Sequence, residues 1–162
     1  MKNTCDLHDD FGPQLEIVPF GLISYGGREA FFGPVETVKC LEDNSRLREL
    51  SRTPGEGRVL VVDGGESVRH ALMGDMIAGD FCKNGWAGVV IWGAVRDVKE
   101  LAKLDMGIMA LGNIMRPSIR REDGQIGVPV RIGEARVEPG AFLVADEDGV
   151  IVFPPDVTPP AA

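Results

Sequence analysis

Residues 88–97 read Gly88-Val89-Val90-Ile91-Trp92-Gly93-Ala94-Val95-Arg96-Asp97. From Gly88 to Gly93 the run is apolar throughout, without polar alternation, as expected of a strand covered on both faces. A second run, Arg58-Val59-Leu60-Val61-Val62-Asp63, is β-branched and stops at Gly64-Gly65. Ile108-Met109-Ala110-Leu111 is a weaker third. Helical segments fall between these strands. Met76 to Asn84 has Asp75 as its N-cap and Gly85 as its stop. Asp97 caps Val98 to Leu104, where Val98, Leu101 and Leu104 share a helical face. A short helix is expected over Asn44 to Leu50, ended before Pro54-Gly55.

Outward from this centre the last third changes character. Val128 to Ile132 followed by Gly133 to Val137 reads as a hairpin, and Phe142–Ala145 with Val150–Phe153 as another, around Asp146-Glu147-Asp148-Gly149. The β/α units followed by antiparallel strands predict an α/β chain of mixed α+β type with layered sheets. Its 162 residues suit a single domain, 1–162, with a tail from Pro154 to Ala162 expected to fray.

Composition narrows the function classes. The chain is 44% hydrophobic and 26% charged, an ordinary globular balance, and its 21 glycines and 11 prolines favour turns and short strands over a bundle. A net charge of −8 gives no electrostatic reason to hold a phosphate backbone, so direct nucleic-acid binding is not expected. The longest apolar stretch, Ala87 to Val95, is interrupted by Gly88 and Gly93 and falls short of the ~20 residues that span a bilayer. The amino terminus has no apolar core of a secretory signal, and Cys5, Cys40 and Cys82 form neither a CxxC nor a zinc-ligand spacing. These features predict a soluble cytoplasmic protein with reduced thiols and no membrane partner.

Several motifs fail on inspection. An EF-hand loop starting at Asp146 would put its glycine at Ile151 and its bidentate glutamate at Val157. Gly64-Gly65-Glu66-Ser67 is not followed by the Lys-Ser/Thr of a phosphate loop. His8 and His70 have no serine or cysteine in a nucleophile-elbow context. Two places remain where the chain enters a helix through charge: Gly74-Asp75-Met76-Ile77 and Arg96-Asp97. N–H groups at a helix start attract a carboxylate. Aspartate suits Mg²⁺ or Mn²⁺, and an adjacent arginine can neutralise charge on a substrate oxygen. From spacing alone, the simpler reading makes Asp75 and Asp97 caps and Arg96 a surface charge. Arg116, Arg120 and Arg121 read as solvated surface, as do Lys99, Glu100 and Lys103, while Trp86 and Trp92 read as core or interface packing.

The segments Gly57–Gly65, Lys83–Gly88 and Gly93–Asp97 resemble the RraA-like family, which contains regulators of ribonuclease E activity and class II 4-hydroxy-4-methyl-2-oxoglutarate (HMG) aldolases. The resemblance extends to Tyr25–Arg28, Thr37–Asn44, Leu104–Gly107 and Ala145–Gly149, nearly the whole chain from Thr4 to Pro154. The aldolase signature is Asp, twenty residues, then Arg-Asp; here Asp75 is followed by the twenty residues 76–95 and then Arg96-Asp97.

The resemblance implies a swivelling β/β/α sandwich that assembles as a homotrimer with sites near subunit boundaries. It implies Asp97 as the direct ligand of a divalent cation (Mg²⁺ or Mn²⁺) and Asp75 as the holder of metal-bound water. Arg96 would contact a pyruvyl group, and the amides of Gly74, Asp75, Met76 and Ile77 would receive its carboxylate; the family also often has a basic residue near the Arg116, Arg120 and Arg121 group, at the substrate's far end. The implied activity is that of a metal-dependent lyase acting on a small 2-keto acid: retro-aldol cleavage of HMG to two pyruvates, oxaloacetate decarboxylation, or both, through a metal-stabilised pyruvate enolate. Retro-aldol cleavage also needs a base for the hydroxyl proton, whereas decarboxylation does not. Longer aldolases of the family supply an acidic residue from a C-terminal extension that this sequence, ending at Ala162, is expected to lack. Decarboxylation is therefore the safer expectation. The alternative is a non-catalytic protein that inhibits a ribonuclease E type endonuclease, its acidic surface suiting a basic protein partner.

Overall fold

A computed structural model describes residues 1–19 and 21–161. The helices are α1 (Thr4–Phe11), α2 (Ser45–Ser51), α3 (Asp75–Lys83) and α4 (Val98–Leu101). The strands are β1 (Glu16–Val18), β2 (Ile23–Ser24), β3 (Phe31–Lys39), β4 (Val59–Asp63), β5 (Ala71–Met73) and β6 (Gly88–Val95). They continue with β7 (Gly107–Asn113), β8 (Gln125–Ile126), β9 (Val130–Ile132), β10 (Ala135–Val137), β11 (Phe142–Asp146) and β12 (Gly149–Phe153).

Strands β3, β4, β6 and β7 pair in parallel, and β5 pairs in parallel with β6. The full path runs β1-β12-β11-β3-β4-β6-β7-β2. Strand β3 joins two regimes: residues 31–34 pair antiparallel with β11, and residues 35–39 pair parallel with β4. Pro34 stands at the changeover, where a missing backbone N–H interrupts neither ladder.

Each central strand feeds two cores. On β4, Leu60 and Val62 face α2, α3 and α4 in a cluster with Leu47, Ile77, Phe81 and Leu101. Val59 and Val61 face the antiparallel strands, with Val130, Ile132, Leu143 and Val152. On β6, Val89 and Ile91 join the first cluster and Val90 and Trp92 the second. The apolar run is thus covered on both faces, and mixed α/β layering follows. A third cluster seats Leu7 of α1 on Val144, Ile151 and Phe153 of the β11–β12 hairpin. Phe31, 3% exposed, lies where side chains on Gly88 or Gly107 would collide with its ring. Small residues there let a large ring close the sheet face.

Several boundaries differ from the sequence reading. Strand β6 runs on to Val95 because Ala94 and Val95 pair with both β5 and β7. Helix α4 ends at Leu101, after which the Leu104 carbonyl turns to accept from Gly27 and Met106. Helix α3 begins one residue earlier than expected, with Gly74 rather than Asp75 as N-cap, and Asn84 is its C-cap. After β12, residues 154–157 make a turn, Val157 N–H donating to the Pro154 carbonyl at 2.9 Å, and Val157 packs on the third cluster. Among the described residues no helix is long and apolar enough to cross a membrane.

Candidate active site

Strand β5 runs beside β6 with Ala71 opposite Ala94 and Met73 opposite Val95, so both strands leave the sheet at one edge. The chain leaving β5 becomes Gly74 and α3; the chain leaving β6 becomes Arg96-Asp97 and α4. The twenty residues between Asp75 and Arg96 are consumed by α3, the 84–87 turn and β6. This parallel crossover brings two distant acidic positions to one corner, held by the Arg96 N–H donating to the Met73 carbonyl at 2.9 Å.

At that corner Asp97 Oδ2 accepts the backbone N–H of Asp75 at 3.2 Å and lies 3.3 Å from Arg96 Nε. Asp97 occupies the N-cap position of α4 but makes no side-chain cap bond there. It caps α3 instead, across the crossover, which corrects the expectation that each aspartate caps its own helix. Its backbone sits at φ 58°, ψ 41°, a left-handed conformation costing about 1–2 kcal/mol for a residue with a side chain. That conformation turns the carboxylate back onto the start of α3. Asp75 is the first residue of α3, with an exposed side chain. The N–H groups of Met76 and Ile77 belong to the same first turn, which has no intrahelical acceptors. The Arg96 and Asp97 side chains are 38% and 31% exposed, so their pairing contributes little stability and leaves both open to a ligand.

Gly74 is the residue that cannot be enlarged without moving the site. Its backbone, φ −127° and ψ −166°, is ordinary extended chain, but a Cβ would overlap Asp97 Oδ2 and lie 2.9 Å from Arg96 Cγ. The corner opens into a cavity of about 190 Å³ whose walls include Asn44, Gly74, Met76, Ile77, Pro117 and Arg120 beside the Asp-Arg-Asp group. All six residues expected at a site from the sequence, Gly74, Asp75, Met76, Ile77, Arg96 and Asp97, line it.

Arg120, which composition alone assigns to solvated surface, reaches this cavity and donates from Nε to Asn44 Oδ1 at 3.2 Å. Asn44 carries no spacing signal and Arg120 only the resemblance's basic residue at the substrate's far end, because the 114–124 loop meets the 40–44 turn only in three dimensions. Arg116 contributes its backbone, its carbonyl accepting from Ala71 N–H at 2.8 Å. Trp86 and Trp92 are core residues, their indole N–H groups satisfied by the Thr53 carbonyl and by Glu66.

Two aspartates and two arginines line the cavity, a formal sum of zero. A divalent cation and a dianion could therefore enter together without leaving net charge behind. Among the described residues no three His, Cys, Asp or Glu side chains gather as a metal cage. Such a cage is not what Mg²⁺ requires: it keeps several waters and is commonly held by one or two carboxylates plus substrate oxygens. Asp97, with Asp75 beside it, fits that mode. A larger cavity of about 600 Å³ lies near β1, β2 and the β11–β12 turn, with Glu29, Asp146, Glu147 and Asp148 in its walls and no lysine or arginine among the described lining residues. That charge disfavours a keto-acid anion.

Comparisons with known proteins show the family and the fold. The RraA-like family, described as aldolase/RraA, matches residues 4–152. A protein of Alcanivorax borkumensis named "Putative 4-hydroxy-4-methyl-2-oxoglutarate aldolase" is 51% identical over 152 residues, covering 93% of this chain and 95% of its own. The structure of the RNA-processing inhibitor RraA from Thermus thermophilis superposes with a TM-score of 0.94 at 41% identity, covering 100% of this chain and 96% of that one. A Geobacillus kaustophilus structure described as an S-adenosylmethionine:2-dimethylmenaquinone methyltransferase gives 0.91 at 43% identity, with 94% of each chain covered. These names differ in activity while the fold is shared, so the site and not the fold must decide function. With the fold, the Asp75 to Arg96-Asp97 spacing and a match over residues 4–152 in agreement, the chain belongs to the RraA-like family.

Proposed function

We propose that this protein is a divalent-cation-dependent lyase of pyruvyl substrates, decarboxylating oxaloacetate and cleaving HMG to two pyruvates. The observation that carries the reading is the corner itself: one carboxylate, Asp97, held against the first N–H of α3 and beside Arg96, with a second arginine, Arg120, lining the same cavity. The bound cation would be held by Asp97, with Asp75 positioning its water, and would supply Lewis acidity to the keto group.

The chain's own residues do the rest. The Met76 and Ile77 N–H groups, at the positive end of the α3 dipole, receive the substrate's pyruvyl carboxylate. Arg96 stabilises the negative charge that develops on the keto oxygen as the C–C bond breaks and the pyruvate enolate forms. Arg120 pairs with the carboxylate at the far end of a four-carbon dianion. Decarboxylation then needs no base. Retro-aldol cleavage needs one, and Asp75 is the exposed carboxylate at hand. Exposed Met76, Val98, Met115 and Ile119 on the segments around this corner support assembly with further copies of the chain, a homotrimer in this reading.

The test is oxaloacetate turnover with Mg²⁺ or Mn²⁺, with and without chelator. Turnover is expected to require the cation and to disappear in Asp97→Ala. Metal-independent turnover, or an Asp97→Ala variant as active as the parent, overturns the assignment. The similarity to the Thermus inhibitor favours a second reading, in which this chain inhibits an RNA-processing endonuclease. A folded protein without turnover under any cation supports that reading instead.

A further inference from the structure

Asp43 is 3% exposed, and both of its carboxylate oxygens are spent on backbone: Oδ1 accepts from Ser45 N–H at 2.8 Å and Oδ2 from Arg121 N–H at 2.5 Å. Beside it, Ser45 Oγ accepts from Glu122 N–H at 3.2 Å, and the Arg46 guanidinium donates to the Glu122 and Gly124 carbonyls. The 40–46 segment therefore clamps residues 121–124 through four side chain to backbone contacts. Arg120 is the residue immediately before the clamped stretch, on a loop without regular structure, and its guanidinium is tied to Asn44.

We propose that Asp43 is a positioning residue that aims Arg120 at the cavity and so sets recognition of a substrate's second carboxylate. This rests on the lyase reading for the identity of the substrate but not for the geometry. An arginine on an untethered loop loses rotamer and backbone freedom when it captures an anion; the clamp removes that freedom beforehand. Two backbone donors demand an ionised acceptor, since an amide has one accepting oxygen and a protonated carboxyl has a donor on one side. Burial pushes the Asp43 carboxyl up, but the hydrogen bonds from Ser45, Arg121 and Asp123 hold it below its ordinary value, so it is ionised at neutral pH. Asp43 touches no reacting atom.

Asp43→Asn keeps the shape and removes one of the two acceptances. The KM for oxaloacetate is expected to rise about tenfold with kcat within about twofold. Arg120→Gln should raise KM by at least as much, and the double variant should be no worse than Arg120→Gln alone. Multiplying KM effects in the double variant, or a loss in kcat at constant KM, overturns the proposal. Ser45→Ala, which loses the Glu122 contact and the Ser45 side-chain bond to Asp43 but keeps the Asp43–Arg121 contact, gives a milder form of the same KM shift should Asp43→Asn fail to fold. The heteronuclear NOE of the ¹⁵N-labelled Arg120 Nε–H reads the aim directly, without turnover. It should be high in the parent and fall in the Asp43 or Ser45 variant. If the parent has no oxaloacetate turnover and the NOE still falls, the lyase reading fails and the positioning role stands. An unchanged NOE in the variant overturns the positioning role whatever the activity.

Discussion

Gly74→Ala tests the corner with a single methyl group. The native backbone at position 74 is extended, φ −127° and ψ −166°, so alanine adopts it without backbone strain. The perturbation is therefore confined to what the new Cβ meets. Arg96 Cγ, 2.9 Å away, must retreat by about 0.5 Å to reach the 3.4 Å at which ordinary contact begins, and Asp97 Oδ2, closer still, must retreat by about twice that. Both atoms lie on half-exposed side chains that can swing aside, so the stability cost is small. Loss of a glycine N-cap, on the order of 1 kcal/mol, is offset by ~0.4–1 kcal/mol from a less flexible unfolded chain. The carboxylate nevertheless moves by about 1 Å, a misplacement that can cost on the order of 10²-fold in rate. The assay pairs cation-dependent oxaloacetate kinetics with thermal unfolding. Gly79→Ala in the same helix serves as control: a Cβ there meets nothing within 4 Å, and the exchange should stabilise α3 by about 0.5–1 kcal/mol without touching activity. A folded Gly74→Ala protein with parental kcat/KM would show that the position of Asp97 does not govern the chemistry.

Two further outcomes follow from buried groups. Burial, with the Asp43 and Asp63 charges behind it, pushes the Cys40 thiol up to about 12 from an ordinary 9.0, which lowers its thiolate fraction at pH 8 on the order of 10³-fold. Alkylation at pH 8 followed by mass spectrometry should label exposed Cys5 and spare Cys40 until urea unfolds the chain; equal labelling in the native state refutes this. Asp43, held below its ordinary 3.8, stabilises the fold fully above that pH, and this contribution is lost as pH falls through the folded-state value. Urea unfolding should thus show the gap between parent and Asp43→Asn narrowing below pH 3.8, and a pH-independent gap would count against ionised Asp43 as the clamp.

Much of the frame was legible along the chain. An uninterrupted apolar run such as Val89–Trp92, short, rich in β-branched residues and bounded by Gly88 and Gly93, reads as a strand buried on both faces, which keeps it from water. Turn residues placed the β11–β12 hairpin around Asp146–Gly149, where Asp146 does pair with Gly149. The spacing of Asp75 from Arg96-Asp97 was equally visible, since a strand and a helix of ordinary length fill it. Other elements carried weaker signals. Helix α1 has a mostly polar sequence whose Leu7 matters only against the β11–β12 face. Strand β3 contains Gly33 and Pro34, which argue against a strand until its change of partner is seen.

Local pattern determined which segments are strands and helices, because periodicity and capping act over a few residues. It determined the charged pair at the end of β6 in the same way. Only the tertiary structure decided that the Asp97 side chain caps α3 and not its own helix, that a methyl group on Gly74 would displace Asp97 and Arg96, and that Arg120 belongs to the cavity. Each of these is a contact between segments at least twenty residues apart in sequence. Such contacts are set by how parallel strands emerge from a common sheet edge, and no run of neighbouring residues encodes that on its own.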